Sequence, residues 1–140
     1  MNGPIIVDTG ILLAAANWRD RLHAASVEWL ATVTGPLLVP VPVLVETAWQ
    51  IETNVSSAAE AAFVVSVNRG ELRRVDLTDG DWVRVHELID AYSDLRLGTV
   101  DASVIAVAER LGITTLATFN HRDFSVVRPS HCNHFELVPT

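Results

Sequence analysis

Four places in this 140-residue chain put carboxylates or amides where metal-assisted chemistry needs them. Asp8 ends the apolar run Pro4-Ile5-Ile6-Val7. Glu46 lies in an otherwise apolar segment with Leu44, Val45 and Trp49. Asp101 opens a segment in which Val104, Ile105 and Ala108 recur at helical spacing, so its carboxylate shares their inward face. Asn120 and Asp123 follow a strand-like run that ends at Thr118. Carboxylates held among apolar neighbours repel, and two such charges ~4 Å apart cost roughly 4 kcal/mol at an effective dielectric of about 20. Either some of them hold protons or a divalent cation sits among them. Asp8, Glu46 and Asp101 offer only oxygen donors, which suits a hard ion such as Mg²⁺ or Mn²⁺. Each residue also has an ordinary alternative: a turn or N-cap for the aspartates, a surface pair for Glu46. The set, rather than any member, points to chemistry.

Composition narrows what that chemistry is. All ten basic residues are arginine, against 17 acidic ones, for a formal net charge of -7. Without lysine there is no P-loop nucleotide site, no Schiff base and no lysine base. The receiver-type phosphotransfer centre, which also uses a lysine, is disfavoured on the same ground. An acidic balance argues against a broad basic surface for non-specific nucleic-acid binding. It leaves open nucleic-acid chemistry at a metal site. The single cysteine, Cys132, excludes an internal disulfide and a multi-cysteine zinc site. His131-Cys132-Asn133-His134 lacks further soft ligands and reads as an ordinary loop.

The elements that must position the acidic set alternate between strand and helix patterns. Residues 4–7 read as a buried parallel strand and 11–16 as a short helix. Residues 20–33 read as a helix with Asp20 as its N-cap, and 37–39 as a second strand. Pro42 suits the first turn of the helix carrying Glu46. Ser56 or Ser57 caps a helix that runs through Val67 and ends at Gly70. Residues 72–77 form a weaker, exposed strand containing Arg73 and Arg74. Thr78 and Asp81 form a capping box for a helix to about residue 93, whose apolar face is Trp82, Val85, Ile89 and Tyr92. A helix over 101–111 stops at Gly112, and strands follow at 113–117 and 135–138. Trp18, Trp29, Trp49 and Trp82 are assigned to core or interface packing. The alternation gives one α/β domain over residues 1–140 with a mostly parallel sheet. Ligands of such sheets bind at the carboxyl ends of the strands, where Asp8, Asn120 and Asp123 fall. Met1-Asn2-Gly3-Pro4 lacks the charge of a secretory leader, and no apolar run is long enough for a membrane span. The expected location is therefore cytoplasmic.

At four points the chain resembles one family. Val7-Asp8-Thr9-Gly10-Ile11-Leu12-Leu13-Ala14 is similar to the opening motif of PIN-domain proteins, and Val45-Glu46 to their second acidic position. Asp101-Ala102-Ser103, after Arg96-Leu97-Gly98, resembles the third, and Thr118-Phe119-Asn120-His121-Arg122-Asp123-Phe124 the last. Length and element order are most similar to the VapC-type toxins of type II toxin–antitoxin pairs. The resemblance implies a three-layer α/β/α fold around four or five mostly parallel strands. It implies a Mg²⁺-dependent endoribonuclease, with Mn²⁺ as substitute, that cuts tRNA or rRNA to 5′-phosphate and 3′-hydroxyl ends. Asp8 and Asp101 become the principal metal ligands, and Glu46 completes the acidic cluster. Asn120 takes the fourth acidic position and offers one neutral oxygen ligand, while Asp123, one turn on, is a candidate to contribute to the site or the substrate contacts and equally to cap or pair with an arginine. An amide there argues for one tightly held ion and admits an alternative, a non-catalytic PIN-like scaffold that binds RNA or protein. Thr9, Ser103 and Thr118 are candidates to hydrogen-bond the ligands or the phosphate. Arg96 and Arg122, ahead of Arg73, Arg74 and Arg128, are candidates for phosphate contacts. The implied partners are a cognate antitoxin, RNA and a second copy of the chain, with residues 37–45 lining a groove or seam.

Overall fold

A strand that is aliphatic on both faces is stable only under helices on both sides, and β1 (Ile5–Val7) is such a strand. The computed structural model describes residues 3–140 and places β1 at the centre of a five-stranded sheet ordered β3-β2-β1-β4-β5. Met1 and Asn2, on which the leader expectation partly rests, lie outside the described residues. β2 (Leu37–Pro40) and β4 (Thr115–Ala117) flank β1, while β3 (Arg73–Val75) and β5 (Glu136–Val138) form the edges. Every pairing is parallel. Among the described residues seven α-helices cover this sheet: α1 (Thr9–Ala16), α2 (His23–Thr32), α3 (Val41–Asn54), α4 (Ser57–Asn68), α5 (Asp79–Ala91), α6 (Thr99–Leu111) and α7 (His121–Val126). Ile6, Val7, Val39, Leu116 and Ala117 lose all contact with solvent, together with Val104, Ile105 and Val107 of α6. The expected mixed α/β architecture holds, with five strands. Among the described residues no helix is long and apolar enough to cross a membrane.

Topology creates the crevice. The chain runs from β1 outward through β2 to β3, then returns across the sheet to β4 and β5. This reversal leaves the carboxyl ends of β1 and β4 side by side, the position where open parallel sheets bind ligands. The ladder continues one residue past each strand: Asp8 N–H donates to the Ala117 carbonyl at 2.9 Å, and Thr118 N–H to the Val138 carbonyl at 2.8 Å. Asp8 and Thr118 therefore leave the sheet together.

Local signals set several ends as expected. Ser56 caps α4, and Thr78 with Asp81 forms the reciprocal capping box of α5. Gly112 ends α6 in the left-handed region at φ 69°, which a side chain adopts only under strain. Other ends differ. Asp20 does not cap α2; its side chain accepts from Leu22 N at 2.8 Å in a local turn, and the helix begins at His23 without a side-chain cap. Asp101 does not open α6, which starts two residues earlier from Gly98. α5 ends at Ala91, and residues Ser93–Leu95 form a separate 3₁₀ turn. Three tryptophans also leave the core. Trp18, Trp49 and Trp82 are 71%, 64% and 49% exposed, and only Trp29 packs against the core. The buried stripe of α5 is instead Asp81, Val85 and Leu88.

Burial of Asp81 is possible because its partners surround it. Its carboxylate caps Thr78 N at 3.0 Å and accepts from Arg110 Nε at 2.9 and 3.1 Å, tying α5 to α6. One turn on, Arg84 grips Glu109 of α6 through two bonds of 2.7 and 3.0 Å, and Glu109 also accepts from Ser130 N at 2.8 Å. Replacing Asp81 by Ala removes the capping box and leaves Arg110 only its bond to the Asp76 carbonyl, so urea denaturation should show a loss of about 2–3 kcal/mol. Thr78→Ala, which removes one capping bond, should lose about 1 kcal/mol.

Candidate active site

The carboxyl ends of β1 and β4 start a continuous run of hydrogen bonds. Asp8 is the N-cap of α1 and accepts from Thr9 N at 2.8 Å. Its second oxygen accepts from Thr118 Oγ1 at 2.9 Å. Thr9 Oγ1 donates to Glu46 Oε2 at 3.0 Å, which links α1 to α3. On the other side, Asn120 N–H donates to Thr118 Oγ1 at 3.0 Å, and Asn120 Nδ2 donates to Asp123 Oδ2 at 3.1 Å. Glu46, Thr9, Asp8, Thr118, Asn120 and Asp123 thus form one chain of contacts across four elements. Asp8, Thr9 and Thr118 are buried. The N-cap role of Asp8 uses one carboxylate oxygen and leaves the other to accept from Thr118.

Asp101 stands outside that chain. At the third position of α6 its carboxyl has no hydrogen-bond or ion-pair partner among the described residues, although it is largely withdrawn from water. Burial, and then the charges of Asp8, Asp123 and Glu46, raise its pKa from the ordinary 3.8 to about 7. Burial also raises the pKa of Asp8, against the lowering effect of its bonds from Thr9 and Thr118 and with a smaller push from Glu46. No arginine among the described residues pairs with any of these carboxylates.

The donor chemistry fits a hard divalent ion: carboxylate oxygens from four elements, no nitrogen or sulfur ligand among them, and an uncompensated negative charge in a poorly solvated crevice. Among the described residues no three Asp, Glu, His or Cys side chains yet share one coordination sphere. Gathering Asp8, Asp101 and Glu46 or Asp123 around an ion therefore requires side-chain rotations. Such rotations lie within the two or three torsions that each of these residues has.

The structure sorts the remaining sequence candidates. Thr9 and Thr118 touch the acidic set. Ser103 does not; it is fully buried and donates to the Val100 carbonyl at 2.6 Å, the local role common for serine in a helix. Asn120 spends its amide oxygen on Asp123 N at 3.3 Å as the N-cap of α7, so the carboxylate at this corner is that of Asp123. The Asn-x-x-Asp spacing could have shown this division, since an N-cap and the third helical residue face each other. Arg73 and Arg74 lie on edge strand β3, beyond β2 from the crevice, and Arg74 pairs with Asp76 at 3.4 Å. In the C-terminal loop, His131 Nε2 contacts the Ile113 carbonyl at 2.7 Å, and Cys132 Sγ contacts the His134 carbonyl at 3.5 Å.

Comparison with known proteins agrees with this geometry. The family model described as PIN domain matches residues 5–128. The chain is 27% identical over 135 residues to Ribonuclease VapC26 of Mycobacterium tuberculosis, covering 96% of this chain and 100% of that protein. It superposes on the crystal structure of M. tuberculosis VapC20, described as a sarcin–ricin loop cleaving toxin, with a TM-score of 0.82 at 22% identity over 92% of this chain and 98% of that one. A toxin–antitoxin complex from Klebsiella pneumoniae matches with a TM-score of 0.69 at 17% identity, over 96% of each chain.

Asp101 makes stability depend on pH in a defined direction. Its folded-state pKa lies above the ordinary value, so between pH 3.8 and about 7 the folded protein holds a proton that the unfolded chain has released. In EDTA, stability should therefore decline as pH rises through that window and level off above it. Asp101→Asn should flatten the decline and melt about 4 °C above the wild type at pH 7.5. Thermal melts in EDTA from pH 4 to 8 measure both.

Proposed function

The chain belongs to the PIN-domain family, and within it we propose that this protein is a metal-dependent endoribonuclease, the toxin of a type II toxin–antitoxin pair. The observation that carries this reading is the hydrogen-bonded run from Glu46 through Asp8 to Asp123, with the unpartnered Asp101 beside it. Similarity to a ribonuclease over nearly the full length of both chains supports the same reading.

Asp8, Asp101 and Asp123 or Glu46 are the residues to hold Mg²⁺, with Mn²⁺ as substitute. When bound, the ion supplies Lewis acidity to the scissile phosphodiester and charge stabilisation to its leaving 3′-oxygen. Thr118 and Thr9 hold Asp8 and Glu46 beside the crevice in the ion-free protein and remain within reach of them when they turn toward an ion. Asn120 acts by capping α7 and orienting Asp123. Asp101, whose pKa burial raises to about 7, would hold the ion as its carboxylate, so that binding there would be coupled to loss of its proton. Attack by water needs no 2′-hydroxyl, so the products carry 5′-phosphate and 3′-hydroxyl ends. The substrate is a tRNA or rRNA, in keeping with what VapC20 is described to cut. Asp123 supplies the carboxylate that a non-catalytic scaffold would lack.

A cytoplasmic antitoxin is the natural partner, as in the similar complex from Klebsiella pneumoniae. An apolar groove of about 500 Å³ between α1, α2 and α4, lined by Leu12, Ala16, Leu30, Leu37 and Phe63, suits the apolar face of a helix. The exposed Val45, Trp49 and Trp82 lie around a second groove and are assigned to a second copy of the chain. The expected 37–45 region thus divides between the two.

Purified protein incubated with total tRNA and rRNA should cleave in Mg²⁺ and stop in EDTA. Asp8→Asn and Asp101→Asn should each lose at least ~100-fold in rate with an unchanged circular dichroism spectrum, and Thr118→Val about 10–100-fold. Cleavage that persists in EDTA, or at full rate in Asp8→Asn, contradicts the assignment.

A further inference from the structure

A polyanion approaching this chain meets a net charge of -7 and a crevice of carboxylates, so fixed cations must hold its backbone nearby. Arginine is the only side chain available for this. Among the described residues Arg74, Arg84 and Arg110 are committed to carboxylates, and Arg19 lies over the Trp18 ring. Arg96, Arg122 and Arg128 are exposed and their guanidinium groups have no partner among the described residues. Arg122 sits on α7 beside Asp123, Arg128 follows that helix by two residues, and Arg96 precedes by three residues the helix α6 that carries Asp101. Arg122 neighbours Asp123 in α7, which Asn120 and Thr118 tie to Asp8. Tyr92 joins the other two: its hydroxyl accepts from Arg128 N at 2.8 Å, and its carbonyl accepts from Leu95 N at 3.0 Å and Leu97 N at 3.5 Å, on either side of Arg96. Arg96 in turn precedes Gly98, the start of the helix that carries Asp101.

Arg96 carries a second mark. At φ 57° and ψ 42° it is the single non-glycine residue in the left-handed region among the described residues. The other two such turns use Gly70 and Gly112. Glycine would adopt this conformation without strain, and Leu97 already anchors the turn in the core. The Arg96 guanidinium makes no hydrogen bond or ion pair among the described residues that would offset this strain, which points to a use outside the folded chain. A guanidinium matches a phosphate bidentately.

We propose that Arg96, Arg122 and Arg128 form a phosphate-holding rim on the α6–α7 side of the acidic site, gripping the RNA backbone beside the phosphodiester that is cut. This rests on the ribonuclease reading above. Steady-state cleavage in saturating Mn²⁺ over a series of salt concentrations tests it, with wild type, Arg96→Gly, the Arg122→Ala/Arg128→Ala double variant and Arg69→Ala on the distant end of α4. Arg96→Gly should raise KM about 10-fold with kcat within about 2-fold, and flatten the log KM against log salt slope by about 0.7. It should also melt about 3 °C higher, which excludes misfolding as the cause. The double variant should flatten the slope by about twice as much, and Arg69→Ala should match the wild type. Unchanged KM and slope in Arg96→Gly, while the wild type cleaves, overturn the rim alone. A wild type that cleaves no RNA overturns the ribonuclease reading and the rim with it.

Discussion

Repulsion among Asp8, Glu46, Asp101 and Asp123 at the mouth of β1 and β4 shapes what surrounds it. In water these carboxylates would separate or be screened; in a crevice walled by α1, α3 and α6 they can do neither fully. The fold meets this in two ways. Donors from Thr9, Thr118 and Asn120 hold three of the four, Glu46, Asp8 and Asp123, in place in the ion-free protein. The fourth, Asp101, receives no donor and takes up a proton instead, with its pKa near 7. Under the proposed function, a divalent cation held there would offset both the proton and the repulsion.

The rest of the molecule is arranged so that this local instability does not spread. α6 carries Asp101 at its first turn, and a run of buried residues from Ala102 to Ala108 fixes the helix against the sheet. Its far end is held by Arg84–Glu109 and Arg110–Asp81, both oriented by two bonds. The acidic cluster thus stands on a helix whose position is set elsewhere. Rigid support of this kind keeps catalytic geometry within the narrow range that chemistry needs.

Features governed by short-range rules were legible in the sequence. The aliphatic run ending in Asp8, the Thr78–Asp81 capping box and the glycine stop at Gly112 each depend on a few adjacent residues, and each took its expected form. Features set by tertiary neighbours were not. Helical spacing groups Trp82 with Val85, but packing of α5 on α6 turns Asp81 inward and Trp82 out, because Arg110 waits on α6 to pair with the aspartate. The start of α6 carries no local signal, because Gly98 provides no capping side chain. Asn120 and Ser103 have the right types for a ligand and a phosphate contact, yet one caps α7 and the other bonds the Val100 carbonyl. Of the acidic set, Asp8 and Glu46 could be placed from flanking residues alone. The bond from Thr118 to Asp8, and the isolation of Asp101 from any donor, exist only once β1 and β4 are adjacent.

Calorimetric titration of Mn²⁺ near pH 6.5, in two buffers of different ionisation enthalpy, addresses the central claim that these carboxylates form a cation site whose charge is held back by a proton. Binding should release a fraction of a proton per ion, drawn from Asp101, and should tighten as pH rises toward 8. In Asp101→Asn the proton release should vanish and affinity should fall. Absence of binding through the millimolar range, or binding without proton release that Asp101→Asn leaves unaltered, would contradict the account.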